Sequence, residues 1–202
     1  MTEIAGVLLA GGLSRRMGGG DKCLRILGGE TILARVIARA RPQVASLMLN
    51  ANGDPARFAE YGLPVRADVV EGYAGPLAGV LTGMAWVRDA IPNAAWLASF
   101  ACDAPFLPTD LVQHLLKAVA DKGADMACAA SGGQSHPVFG LWPIRLFDDL
   151  RRAILVEEIR KVDAWTGRFD LAQVEFQWTR VDPFFNTNRP EDLAEAEALL
   201  AD

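Results

Sequence analysis

The chain has 202 residues, 51% of them hydrophobic, which suits one domain of about 100–200 residues with a sizeable core. Lys plus Arg number 20 against 25 Asp plus Glu, a net charge of −5 that excludes coating of duplex nucleic acid by phosphate neutralisation. Cys23, Cys102 and Cys128 form no CxxC and match neither a disulfide framework nor a zinc cluster, which points to a reducing cytoplasm.

The apolar opening carries Glu3 and no basic region before it, so no signal peptide is expected. The next longest apolar stretch, 94–102, is less than half of the about 20 residues that a membrane span needs, so no membrane association is expected either. Short apolar runs at 4–9, 46–50, 96–101 and 125–129 read as strands buried on both faces. Between them, Ile32, Leu33, Val36, Ile37 and Ala40 recur at helical spacing after Thr31, and Leu111, Val112, Leu115, Leu116 and Val119 do so after Thr109. Both threonines suit an N-cap. Pro76 opens a helix reaching about Asp89, and Asn188 with Glu191 forms a cap-like pair before a final helix to about Leu200. The pieces 134–141 and 174–180 predict an antiparallel addition to a mostly parallel sheet. No repeat or linker interrupts the pattern, so it predicts a single three-layer α/β/α Rossmann-like domain over 1–202.

After the first strand comes Leu9-Ala10-Gly11-Gly12-Leu13-Ser14-Arg15-Arg16-Met17-Gly18-Gly19-Gly20-Asp21-Lys22, which combines five glycines with three cations. Glycines let successive amides converge on an anion, and the carboxyl end of a strand is where open α/β sheets bind ligands. Arg15, Arg16, Lys22 and Arg25 outnumber Asp21, a local positive excess in an acidic chain. Three familiar glycine motifs fail on spacing: Lys22 is followed by Cys23 and not Ser or Thr, Cys23 stands where a GxGxxG begun at Gly18 needs glycine, and Arg16 stands where a GxSxG serine elbow needs one. A glycine turn carrying solvated arginines is the alternative.

The segment LAGGLSRRMGGGDK resembles the opening signature of the nucleotidyltransferases, most closely the molybdenum cofactor guanylyltransferases. The resemblance continues through Asn50-Ala51-Asn52, Asp68, Gly75-Pro76-Leu77-Ala78-Gly79, Cys102-Asp103-Ala104-Pro105-Phe106, His136-Pro137 and Asn186-Thr187-Asn188-Arg189-Pro190-Glu191-Asp192-Leu193. Arg189 departs from the pattern, where a smaller residue is common. The resemblance implies a nucleotidyltransferase domain whose N-terminal part binds nucleotide and whose C-terminal part binds molybdopterin. Its reaction would transfer GMP from GTP to the terminal phosphate of molybdopterin and release pyrophosphate. It also implies Mg²⁺, cytoplasmic location, a monomer, and exchange with molybdenum-insertion and molybdoenzyme-maturation proteins. The rivals are a molybdopterin cytidylyltransferase and an inactive nucleotide-binding regulator; the latter is disfavoured because Lys22 and Asp103 are both present.

On that resemblance Leu9, Ala10, Gly11 and Gly12 hold the nucleotide, Lys22 reaches the triphosphate, Arg16 assists, and Gly12 leaves room for a purine. The composition agrees, because phosphoryl displacement rests on positioning and charge more than on a nucleophilic side chain, and the only histidines are His114 and His136. Asp103, closing an apolar strand, suits a hard oxygen-seeking ion such as Mg²⁺, or equally a turn before Pro105. Asp68 and Asn50 resemble nucleotide contacts, and Asn52 before Gly53 reads as a turn. On the acceptor side stand His136, Arg160, Lys161, Asn186 and Asn188. Packing explains His136, a solvated helix face Arg160 and Lys161, and capping Asn188 about as well. Trp142, Trp165 and Trp178 read as core residues, not as a stacking set, and Cys102 as a small buried hydrophobe.

Overall fold

The computed structural model describes residues 3–10, 21–70, 72, 75–178 and 180–201. Gly11, Gly12 and Arg16 lie outside them. The chain runs β1 (Glu3–Leu9), a small β2 (Ile26–Leu27) and β3 (Glu30–Thr31) hairpin, α1 (Ile32–Ala40), β4 (Ser46–Asn50), β5 (Val65–Arg66) and α2 (Pro76–Ala90). It continues through β6 (Ala94–Ala101), α3 (Leu111–Lys122), β7 (Met126–Ser131), β8 (Gln134–Pro143), α4 (Phe147–Leu155), α5 (Val162–Thr166), β9 (Leu171–Glu175) and α6 (Pro190–Ala201). The main sheet has order β5-β4-β1-β6-β8-β7-β9, and only β8 runs antiparallel to its neighbours.

Alternation along the strands divides the core between the two faces, as a pleated sheet requires. Leu8, Leu47, Leu49, Phe100, Phe139 and Leu141 pack with Ile32, Leu33, Val36, Leu111, Leu115 and Ala196 on one face. Val7, Met48, Leu97, Met126 and Trp142 pack with Leu77, Leu81, Met84, Leu150 and Trp165 on the other. The fold is therefore the three-layer α/β/α sandwich that the run-and-helix pattern predicts. Helix α1 buries the five residues read from its spacing, and Thr31 Oγ1 accepts the Ala34 amide at 3.1 Å.

Three local expectations change. The N-cap of α3 is Asp110 and not Thr109, and no side chain of its own segment caps it; the Val112 amide donates instead to Gln43 Oε1 at 3.0 Å. Before α6, Asp192 and not Glu191 reaches back, its Oδ2 accepting the amides of Asn188 and Arg189 at 2.8 Å each. The 134–141 piece is an antiparallel strand, but the later one is Leu171–Glu175 and runs parallel to β7. Strand β8 returns the chain to the edge where β7 begins, and α4 and α5 lead from there to the start of β9 at that same edge, so β9 runs parallel to β7. Arg160 and Lys161 fall in the connection between those helices, not on a helix face.

Candidate active site at the carboxyl edge of the sheet

Parallel strands bring their carboxyl ends to one edge, where β1, β4 and β6 are laced together. The Ala10 amide donates to the Asn50 carbonyl at 2.9 Å, and the Cys102 amide to the Leu9 carbonyl at 3.3 Å. Asn50 is buried at the end of β4, and its Nδ2 donates to Asp68 Oδ1 at 3.0 Å. Asn52 takes the other carboxylate oxygen through Nδ2 at 2.8 Å and accepts the Asp68 amide at 2.9 Å, so it is more than a turn residue. Helix α2 closes in behind this group because Gly79 has no side chain; a Cβ there would lie 2.5 Å from both Asn50 Oδ1 and Leu9 Cδ2. Asn50, Asp68, Leu9 and Ala10 thus share one corner.

Lys22 and Asp103 face each other across the neighbouring ground. Lys22 Nζ donates to Asn188 Oδ1 at 2.8 Å, although the two residues lie 166 positions apart. Burial pushes the Asp103 carboxyl above its usual range, and the Lys22 ammonium pulls it back down. The Asp103 carbonyl accepts both the Thr187 amide at 3.0 Å and Thr187 Oγ1 at 3.1 Å. After β9 the chain therefore crosses the edge as a strap, tied to Asp103 through Thr187 and to Lys22 through Asn188. Asn186 sits between these ties, and its buried Oδ1 has no hydrogen-bond partner among the described residues.

Farther along the strap, Ser131 Oγ donates to Asp182 Oδ1 and Oδ2 at 2.9 and 3.0 Å, and His136 Nε2 lies 2.7 Å from the same hydroxyl. The His136 ring packs on Phe184, with centroids 4.7 Å apart. From Asp182 to Asn188 an extended chain spans at most roughly 20 Å, so the strap bounds the distance from the histidine end to Lys22. Arg160 approaches from the other side: its carbonyl would be 3.5 Å from a Cβ on Gly75, the residue that precedes α2. Lys161 is exposed beside it. Trp142 and Trp165 are fully buried with centroids 5.9 Å apart, whereas Trp178 is half exposed and lines a cleft with Phe106 and Phe176 on the opposite face. The three tryptophans do not form one surface. The cysteines are buried free thiols; contact with Cys23 and burial push the Cys102 thiol well up.

Among the described residues no three His, Cys, Asp or Glu side chains gather as a ready metal cage. A Mg²⁺ site does not require one, since that ion is commonly held by one or two carboxylates together with substrate phosphates. The desolvated Asp103 carboxylate fits such a donor set, and the Lys22 ammonium beside it suits the phosphates and not the metal.

Residues 6–170 match the family described as the MobA-like NTP transferase domain. The chain belongs to that family. A molybdenum cofactor guanylyltransferase of Rhodopseudomonas palustris (strain BisB5) is 58% identical over 96% of this chain and 92% of its own length. The enzyme of that name from Bradyrhizobium sp. (strain ORS 278) is 56% identical over 99% of this chain and 94% of its own. In fold the chain resembles the molybdopterin-guanine dinucleotide biosynthesis protein A of Archaeoglobus fulgidus, with TM-score 0.76, 24% identity and 98% coverage of each chain.

Within this MobA-like NTP transferase, two features escape a reading of the sequence. Arg57 donates to both Asp21 carboxylate oxygens and to the carbonyls of Asn52 and Asp54, which clamps the residue before Lys22 to the Asn52 turn. It stands in an irregular 3₁₀ segment, Pro55–Tyr61, where no periodicity singles it out. Ser131 and Asp182 are the other omission. The Gly132-Gly133 hairpin does signal that the two strands fold back and bring Ser131 near His136, but nothing in the sequence announces that Asp182 arrives there from 51 positions away.

Proposed function

We propose that the protein transfers GMP from GTP to the terminal phosphate of molybdenum-bound molybdopterin, releasing pyrophosphate and forming the guanine dinucleotide cofactor. The observation that carries this reading is the Lys22 ammonium, fixed by Asn188 next to the desolvated Asp103 carboxylate at the end of the central strands. The family and its 58% identical guanylyltransferase relative support the choice of reaction.

An acceptor phosphate oxygen forms a bond to the α-phosphorus, the bond from that phosphorus to the bridging oxygen breaks, and pyrophosphate leaves with the electron pair. No general base is needed, because a phosphate monoester with a second pKa of about 6 is largely dianionic at neutral pH. Lys22, assisted by Arg16, neutralises charge that grows on the leaving pyrophosphate. Leu9, Ala10, Gly11 and Gly12 bring backbone to the nucleotide, Gly12 leaves room for a purine, and Asn50 with Asp68 faces the base or ribose. Asp103 would hold Mg²⁺, which supplies charge neutralisation on the triphosphate. Asn186, Asn188, His136, Arg160 and Lys161 serve the acceptor. On this reading the chain works as a cytoplasmic monomer between molybdenum-insertion and molybdoenzyme-maturation proteins.

The test incubates the purified chain with molybdopterin and either Mg-GTP or Mg-CTP and measures pyrophosphate. Release with GTP and little with CTP is expected. Release with CTP alone would replace the guanylyl assignment by a cytidylyl one, and silence with both would remove the transferase reading.

A further inference from the structure

The group formed by Ser131, His136 and Asp182 has a proton arrangement that its geometry fixes. An ionised carboxylate only accepts hydrogen bonds, and a serine hydroxyl has one proton to give. Asp182 already accepts the Phe184 amide at 2.9 Å and lies 2.9 and 3.0 Å from Ser131 Oγ, so that single proton points to Asp182. Ser131 Oγ is then left to His136 as an acceptor. The imidazole atom 2.7 Å away is Nε2, which must carry its hydrogen, whether the ring is neutral or charged. The neutral ring keeps its lone pair on Nδ1, which has no hydrogen-bond partner among the described residues.

We propose that Ser131 and Asp182 are positioning residues for the acceptor half of the site: they hold His136 as the Nε2–H tautomer with Nδ1 presented as a hydrogen-bond acceptor for a ring N–H or amino group of the pterin. This rests on the reading that His136 faces the acceptor. Three observations besides the distances support it. Ser131 is buried at 2% exposure, so its hydroxyl is shielded from water that could reverse the arrangement. Phe184 lies against the ring at an interplanar angle of 33° and shares the strap with Asp182, so one segment sets both the plane of the imidazole and its proton. Burial also keeps His136 below the usual imidazole value against the upward pull of Asp182 and Glu175, which leaves the ring neutral at neutral pH. A neutral acceptor suits a heterocycle whose edge carries N–H donors, since a site built to pair such donors rejects analogues that lack them.

The chain has two histidines, so long-range ¹H–¹⁵N spectra of the labelled full-length protein resolve both rings, and His114→Gln assigns His136 by subtraction. His114 is an exposed residue of α3 paired with Asp110, its ring edge-on to Phe176. The parent is expected to show the Nε2–H pattern. Asp182→Ala frees the Ser131 proton to turn toward Nε2, so the spectrum should move toward Nδ1–H. The KM for molybdopterin should then rise about five- to tenfold, the scale of one hydrogen bond, with KM for GTP unchanged. Asp182→Asn keeps a carbonyl oxygen to accept from Ser131 and should restore both the parental pattern and the parental KM. A parent spectrum of the Nδ1–H form overturns the arrangement without recourse to any variant that fails to fold. A tautomer that moves while the molybdopterin KM stays fixed overturns the acceptor contact. A parent that releases no pyrophosphate overturns the transfer reaction itself and with it the acceptor contact, and the spectrum alone still decides the tautomer.

Discussion

Lys22 and Asp103 are complementary, and their substitutions should fail in different ways. Removing the ammonium deprives the transition state of charge that the ground state needs less. Lys22→Ala is therefore expected to lower kcat by about 10²–10³, the range for loss of one preorganised donor, with a smaller change in KM for GTP. Steady-state kinetics at saturating GTP check this, and an unchanged kcat would remove Lys22 from the chemistry. Asp103 has the opposite character: burial raises its proton affinity and one lysine compensates only in part. Asp103→Asn should depress activity and shift the Mg²⁺ titration to higher concentration, yet stabilise the metal-free protein by on the order of 1 kcal/mol. For a chain of this length that corresponds to a Tm increase of roughly 2–4 °C, read by thermal unfolding in chelator. A lower Tm would show that the carboxylate is already well compensated. Both residues were legible, Asp103 from its place closing an apolar strand and Lys22 from the glycine-rich loop that it ends. Their mutual approach was not, because Asn188, which fixes Lys22, reads equally well as a helix cap.

At the scale of elements, periodicity fixed what was local. The five buried positions of α1 and the Thr31 cap follow from spacing and residue type alone. The errors arose where a partner comes from elsewhere or one position over. Gln43 takes the capping work at α3 that Thr109 was expected to do, and the direction of β9 depends on the return of the chain through β8, which no pattern within β9 announces. At α6 the two candidate acids sit side by side, and only the backbone turn at Arg189 decides between them. Asp192 accepts two amides there, so Asp192→Ala should lower stability by about 1 kcal/mol, as for the loss of an N-terminal cap. Glu191→Ala, an exposed change, should stay within about 0.5 kcal/mol of the parent. Urea unfolding of the two variants separates them, and a larger loss from Glu191→Ala would restore the capping box read from the sequence. Because Asn188 is tied to Asp192 through its amide and to Lys22 through its side chain, the Asp192 variant should also lose some turnover.

Across the whole molecule, the edge works because the last part of the chain returns to the first. Asn188 meets Lys22 across 166 positions, Thr187 meets Asp103 across 84, and Asp182 meets Ser131 across 51. Contacts of such separation leave no trace in a local pattern, which explains why Lys22, Asp103, Asn186 and Asn188 could each be singled out in the sequence while the ties that join them into a strap could not. If the strap serves to hold Lys22 against Asp103, loosening it should matter only while Lys22 is present. Thr187→Val keeps the buried shape and the amide bond but removes the hydroxyl donor, leaving the Asp103 carbonyl with one of its two partners. One such bond is worth about 1 kcal/mol, so a fall of roughly fivefold in kcat is expected from Thr187→Val alone. Added to Lys22→Ala, the same change should cost almost nothing further, since residues acting through one group are not additive. A double-mutant cycle on kcat measures this directly. Losses that multiply would mean that the strap acts on the acceptor independently of Lys22, whereas a double variant no slower than Lys22→Ala would place the two ends of the chain in a single catalytic unit.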